Sequence, residues 1–247
     1  PIHITDPASA ETIKYAANGF LAMKISFVNA VAAMCEAVGA DVAAVVEGIG
    51  ADTRIGTQFL RPGPGWGGSC FPKDSRALVK IAEDHGYNFT MMRGVIDVND
   101  EQLERMVTKI ERAVDREGDL EGITVGVLGL TFKAGTDDLR ESPALAIIAR
   151  LQARGARVRA YDPTTVGELD PVQTAELTGI DLVDEPLAVA AGADVVAIFT
   201  EWPEFAKLDL AALAAAAPGV TVVDTRNILD PVLVREVGLG YDGVGRR

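Results

Sequence analysis

Cysteine is nearly absent. The 247 residues hold two, Cys35 and Cys70. Two thiols this far apart make no disulfide framework, so reduced thiols and a cytoplasmic setting are expected. Positive charge is also in deficit. Lys and Arg number 23 against 36 Asp and Glu, a formal charge of −13 that argues against nucleic-acid binding. An anionic small molecule is not excluded, but it needs a local cationic pocket set against the global field. No apolar run reads as long enough and free enough of charge to span a membrane, and no signal peptide is read. No strand-to-helix Gly-x-Gly-x-x-Gly fingerprint with an acidic partner is read before residue 100. No metal-ligand set is assigned. What remains is 48% hydrophobic, enough to bury the core of one large or two ordinary domains.

Two textures divide the chain. From Ser9 to about Gly48, apolar residues recur at spacings of three and four without proline, with Gly39 placed to end a first long helix. Helical patterns return over Arg76–Gly86 and Met91–Arg116. After Gly122 the pattern alternates. Ile123–Leu130, Arg157–Pro163, Asp181–Val183 and Asp194–Phe199 read as strands, and Gly219–Asp224 reads as the last one. Ser142–Gly155, Pro186–Gly192 and Leu208–Ala217 read as helices. The expected fold is α/β overall: an all-α domain over residues 1–118, then a Rossmann-like, doubly wound parallel sheet over 119–247.

One segment stands out, Gly63-Pro64-Gly65-Trp66-Gly67-Gly68-Ser69-Cys70-Phe71-Pro72-Lys73-Asp74. Its glycines suit a close-approach loop, and Pro72 with Asp74 marks a helix start. Cys70 then sits just before a helix N-terminus with Lys73 close by, two features that stabilise a thiolate. Glycines leave room for a substrate to reach the sulfur, which is the local design of a nucleophile. Cys35 lies in an apolar helical stretch and reads as a buried small hydrophobe.

Other candidates have two readings each. Lys14 and Asn18 share a helix face, as an oxyanion-stabilising pair or as ordinary solvated residues. Asp74 reads as a first-turn charge and Arg54 as a surface charge. Residues 129–143 follow a strand and hold Lys133 and Arg140, an arrangement suited to an anion, while Asp137 and Asp138 read as turn and capping residues. Thr200-Glu201-Trp202 follows another strand, where ligands collect on open sheets or where a cap and an aromatic core contact would sit.

The Cys70 segment strongly resembles the catalytic cysteine segment of the UDP-glucose/GDP-mannose dehydrogenase family, and the likeness extends over nearly the whole chain. The resemblance implies NAD-dependent, four-electron oxidation of UDP-glucose to UDP-glucuronate through a cysteine thiohemiacetal and thioester. It makes Cys70 the nucleophile, Lys14 and Asn18 the oxyanion pair, and Asp74 the residue that orders a water. It assigns Arg54, Phe59, Arg61, Gly67, Phe132, Lys133 and Arg226 to the sugar nucleotide, and Lys73 and Arg140 to the cofactor side. A homodimer through the helical domain is implied, with Arg54 reaching across it. GDP-mannose or UDP-N-acetyl-hexosamine oxidation, and a non-catalytic binding and dimerisation module, are the alternatives. Pro1 and the linker-like residues after it read as a start mid-protein, with the family's N-terminal NAD-binding domain absent. On that reading this chain alone is inactive.

Overall fold

A computed structural model describes residues 2–246; Pro1 lies outside the described residues. Helix α1 (Pro7–Val38) begins at Asp6, whose carboxylate accepts the Ser9 amide at 2.9 Å, and ends where Gly39 turns left-handed at φ 78°. Asp41 caps α2 (Val42–Gly50). The glycine loop follows, then α3 (Phe71–Asp84) and α4 (Thr90–Ala113).

Six parallel strands make one sheet: β1 (Thr124–Leu128), β2 (Arg157–Tyr161), β3 (Asp181–Leu182), β4 (Val195–Ile198), β5 (Thr221–Asp224) and β6 (Gly240–Gly243). Their order is β3-β2-β1-β4-β5-β6, with β1 in register between Val158 of β2 and Val195 of β4 at Val125. This is the doubly wound order whose direction reverses between β1 and β4. Helices α5 (Pro143–Ala153), α6 (Pro171–Glu176), α7 (Leu210–Ala216) and α8 (Pro231–Glu236) connect the strands.

The sequence reading stopped the sheet one strand early. Gly240-Tyr241-Asp242-Gly243 has no β-branched run to announce a strand; pairing with β5 makes it one. The short α6 and α8 carry too few turns to show a period. Pro186–Ala190 is a 3-10 turn rather than a full helix.

Helix α4 holds the two textures together. Its first turns, at Met92 and Val95, pack with Ala22, Trp66 and Val79. Further along, Leu103, Met106, Val107 and Ile110 enter the core under the sheet, beside Val125, Val127, Ile147 and Leu151. The end of α1 joins the same core through Ala32 and Cys35, so Cys35 is buried as expected. Lys109 of α4 is also buried. Its ammonium lies 2.9 Å from Glu36 of α1 and 2.7 Å from Asp242 of β6, and Glu36 accepts the Gly245 amide at 2.8 Å. Such a charge is tolerated in the interior only because it is paired.

By length and composition α1 is apolar enough to cross a membrane, with a mean hydropathy of 1.5 over its most apolar window, so the expectation that no run qualifies is corrected. The helix nonetheless buries Ser26 and Asn29, which bond within the protein rather than facing lipid.

Candidate active site

The glycine loop is fastened from below by polar side chains of α1 and α4. Asn29 accepts the Gly63 amide at 2.8 Å, and Gln102 donates to the Gly63 carbonyl at 2.7 Å. Asn99 accepts the Trp66 amide at 2.8 Å and donates to its carbonyl at 3.1 Å. The Trp66 indole donates to Ser26 at 2.9 Å. All four anchors are buried, so each bond satisfies a group that would otherwise be costly to bury. Sequence reasoning missed them. Their signal was there, as polar residues on otherwise apolar helix faces, but the loop contacts that explain them lie far off in sequence.

From above, the loop docks on the sheet. The Gly68 amide donates to the Glu141 carbonyl at 3.3 Å. A side chain on Gly68 would strike the Phe132 ring, with the nearest atoms at 2.8 Å, and Gly68 is itself left-handed at φ 78°. Arg76 of α3 pairs with the Glu141 carboxylate at 3.0 Å.

Cys70 is the residue before α3 and is exposed, with its side chain making no capping bond. One turn on, Asp74 donates its amide to the Cys70 carbonyl at 2.9 Å. Asp74 is the first-turn acid of α3, as the local pattern proposed, and its side chain is wholly buried. Its Oδ2 accepts Asn18 Nδ2 at 2.7 Å and lies 3.3 Å from the Lys14 ammonium, while Lys73 lies 3.1 Å from Oδ1. Burial pushes the Asp74 pKa up, but the Asn18 hydrogen bond and the Lys73 and Lys14 ammoniums together hold it below the usual carboxylate value. Lys14, Asn18, Lys73 and Asp74 thus form one cluster beside Cys70. Asp74, and more weakly Cys70, raise the Lys73 pKa; Asp138, and more weakly Cys70, raise that of Arg140.

Between loop and sheet lies a cleft of about 670 Å³. Phe59, Arg61 and Gly67 line it from the loop side. Phe132 and Lys133 reach it from the end of β1, Glu201 from β4 and Arg226 from β5. These are the carboxyl ends of the strands that flank the topological switch point, where ligands of open sheets collect. Three cations face one carboxylate here, in a chain of net charge −13. Arg226 donates from Nε to the Phe199 carbonyl at 2.7 Å and from Nη2 to that of Phe132 at 3.4 Å, and its Nε lies 3.1 Å from Glu201. Burial lowers the Arg226 pKa against the opposing charges of Glu201 and Asp224. Cys70 does not itself line the cleft; it is exposed and lies in sequence between the lining residues Gly67 and Phe71. A second recess of about 550 Å³ opens at the other, amino end of β1, β2 and β3, away from Cys70.

Of the residues expected at the sugar nucleotide only Arg54 does not line this cleft, and the expected cofactor-side residues Lys73 and Arg140 do not line it either. Arg54 is exposed and pairs with Asp52 at 2.6 Å. Arg140 is exposed and pairs with Asp138 at 2.8 Å, in keeping with a turn role for that aspartate. Nor does the sheet offer a dinucleotide cradle. Gly129 packs against Thr200. Asp162, at the end of β2 where a ribose-binding acid would sit, is buried and accepts from Leu130, Thr131, Thr164 and Trp202. Trp202 is therefore tied up in a structural bond.

Residues 8–101 match the sequence model of the UDP-glucose/GDP-mannose dehydrogenase family, central domain, and residues 126–231 match that family's UDP binding domain. The chain belongs to the UDP-glucose/GDP-mannose dehydrogenase family. It is 45% identical to the UDP-glucose 6-dehydrogenase of Rhizobium meliloti and 44% identical to UDP-glucose 6-dehydrogenase YwqF of Bacillus subtilis, covering 100% of this chain and 55% of each relative. The chain thus spans about half the length of the curated relatives it matches. Among solved structures, a UDP-glucose dehydrogenase from Pyrobaculum islandicum superposes with a TM-score of 0.86 at 36% identity, over 100% of this chain and 53% of that one. An NDP-N-acetyl-D-galactosaminuronic acid dehydrogenase from Methanosarcina mazei superposes at 0.84 with 25% identity, over 97% of this chain and 51% of that one. The family is one of oxidoreductases, and the sheet falls in the region that matches its UDP binding domain.

Proposed function

We propose that this chain carries the cysteine and sugar-nucleotide part of an NAD-dependent UDP-glucose 6-dehydrogenase, which oxidises UDP-glucose to UDP-glucuronate. The observation that carries the reading is the cluster of Lys14, Asn18 and Asp74 beside Cys70, which adjoins Phe71 of the cation-lined cleft. Residues 1–118 are taken as the helical domain and 119–247 as the sugar-nucleotide domain. Arg61, Lys133 and the free Nη1 edge of Arg226 hold the diphosphate, and Phe59, Gly67 and Phe132 shape the rest of the cleft.

The Cys70 thiolate adds to the C6 aldehyde, forming a C–S bond and an oxyanion that Lys14 and Asn18 stabilise. NAD, when bound, supplies the hydride acceptor for both oxidations. Lys73 and Arg140, exposed near Cys70, are this chain's contributions toward its phosphates. A water ordered by Asp74 attacks the thioester carbon, the C–S bond breaks, and the thiolate leaves as the carboxylate forms.

Calorimetry on this chain tests the binding half. UDP and UDP-glucose should bind, GDP should compete poorly, and Arg226→Met should weaken UDP by about 2 kcal/mol or more. No UDP binding, or a preference for GDP-mannose, would move the assignment to another substrate or class.

The reading includes a homodimer in the cytoplasm, where Cys70 stays reduced. Ile13, Phe20, Phe27 and Met34 recur every seven residues along α1, each more than half exposed. Such a stripe needs a cover, and a second α1 supplies one. Arg54, unused in its own cleft, is assigned to the partner's. Phe27→Asp should convert a dimer to a monomer in light scattering; a wild-type chain that is monomeric at micromolar concentration ends this part of the reading.

A further inference from the structure

Cys70 Sγ has one side-chain polar partner among the described residues: Ser69 Oγ, at 3.7 Å. The charged groups around it act at longer range. Lys73 on α3 and Lys14 on α1 are both committed to Asp74, and Arg140, on the loop before α5, is committed to Asp138. All three cations are more than half exposed, so water and salt screen their effect on the sulfur. The amide end of α3 contributes a dipole, but the Cys70 side chain makes no bond to it. The half-buried Ser69 hydroxyl is the one short-range group, and a hydroxyl is free to rotate its proton toward a thiolate.

We infer that the Ser69 hydroxyl donates a hydrogen bond to the Cys70 thiolate and fixes the sulfur's direction, which makes Ser69 a positioning residue for the nucleophile. The inference rests on Cys70 being that nucleophile. It assigns two devices to one sulfur: screened charge from Lys73, Lys14 and Arg140, and a direct donor from the preceding residue. The first depends on ionic strength and the second does not.

Iodoacetamide alkylation of this chain across a pH series reads Cys70 alone, because Cys35 is buried. Wild type should alkylate at pH 7 faster than free cysteine under the same conditions. Ser69→Ala should slow alkylation at pH 7 by roughly five- to tenfold, the scale of a lost bond to a charged acceptor, and leave the high-pH plateau rate unchanged. That loss should be the same at low and high salt, and Ser69→Thr should restore most of the rate. Lys73→Met should also slow the reaction, but mainly at low salt. A fast wild-type reaction that Ser69→Ala does not slow overturns the role of Ser69 and leaves the nucleophile standing. A wild-type rate equal to that of free cysteine removes both. A plateau that falls along with the pH 7 rate marks a change of access rather than of the thiolate, and also overturns the inference.

Discussion

Cys70→Ser should abolish steady-state formation of UDP-glucuronate when assayed in a protein of the full length of its relatives. The expected loss is at least about a thousandfold in kcat, because a serine hydroxyl does not ionise near neutral pH and has no adjacent base to activate it. Lys14, Asn18 and Asp74 stay in place in this variant, so binding of UDP-glucose should be kept. The first hydride transfer needs an alkoxide on the sugar and not the sulfur, so some NADH should still form. Any ester formed on the serine should hydrolyse slowly and be visible by intact mass. Lys14→Ala should behave differently. It removes a donor from the oxyanion at every step that forms one, costing on the order of 3 kcal/mol in kcat/KM. Near-normal turnover by the serine variant would end the covalent role of Cys70.

Gly67→Ala should have the largest effect on folding of any single methyl added at the site. A Cβ there would lie 2.8 Å from Pro143 Cδ and 3.1 Å from the Glu141 carbonyl carbon, and closer still to the carbonyl oxygen. Two of these atoms are backbone, and the third starts α5. Ser142 pins this stretch by donating to the Leu130 carbonyl at 2.6 Å. Neither side can yield without moving the loop off the sheet. The expected cost is roughly 3 kcal/mol, at the upper end for overpacking, with a matching loss of UDP affinity because Gly67 lines the cleft. Gly94→Ala is the control. A Cβ at Gly94, inside α4, meets nothing within 4 Å, so this change should be neutral or stabilise by about 0.5–1 kcal/mol through helix propensity. Urea denaturation of the two variants decides it. Equal midpoints would mean the loop is not locked to the sheet.

Several features of this protein follow from local sequence. The glycine density around Cys70 marked a close-approach loop, and the loop touches both α4 and the start of α5. Gly39 and Ser142 marked helix ends because capping is chemistry between near neighbours, whereas Asp6, read as part of a linker, caps α1. Runs of valine and isoleucine marked the buried strands for the same short-range reason. The family itself was legible in the run from Gly63 to Asp74, since a long motif is a local pattern too. Tertiary structure decided the rest. Asn18 meets Asp74 across 56 residues, and Lys109 meets Asp242 across 133. No local period carries such pairs. Asp74 read as a helix-start charge and is one, but only packing buried it and brought two lysines to it. Asp162 meets Leu130, Thr131 and Trp202 only because the loops after β1 and β4 fold over the end of β2. Arg54 kept its exposure because nothing in one copy of the chain covers it. Local sequence sets caps, turns and periodicity; desolvation, and with it the state of each charged group, is set by which distant segments close over it.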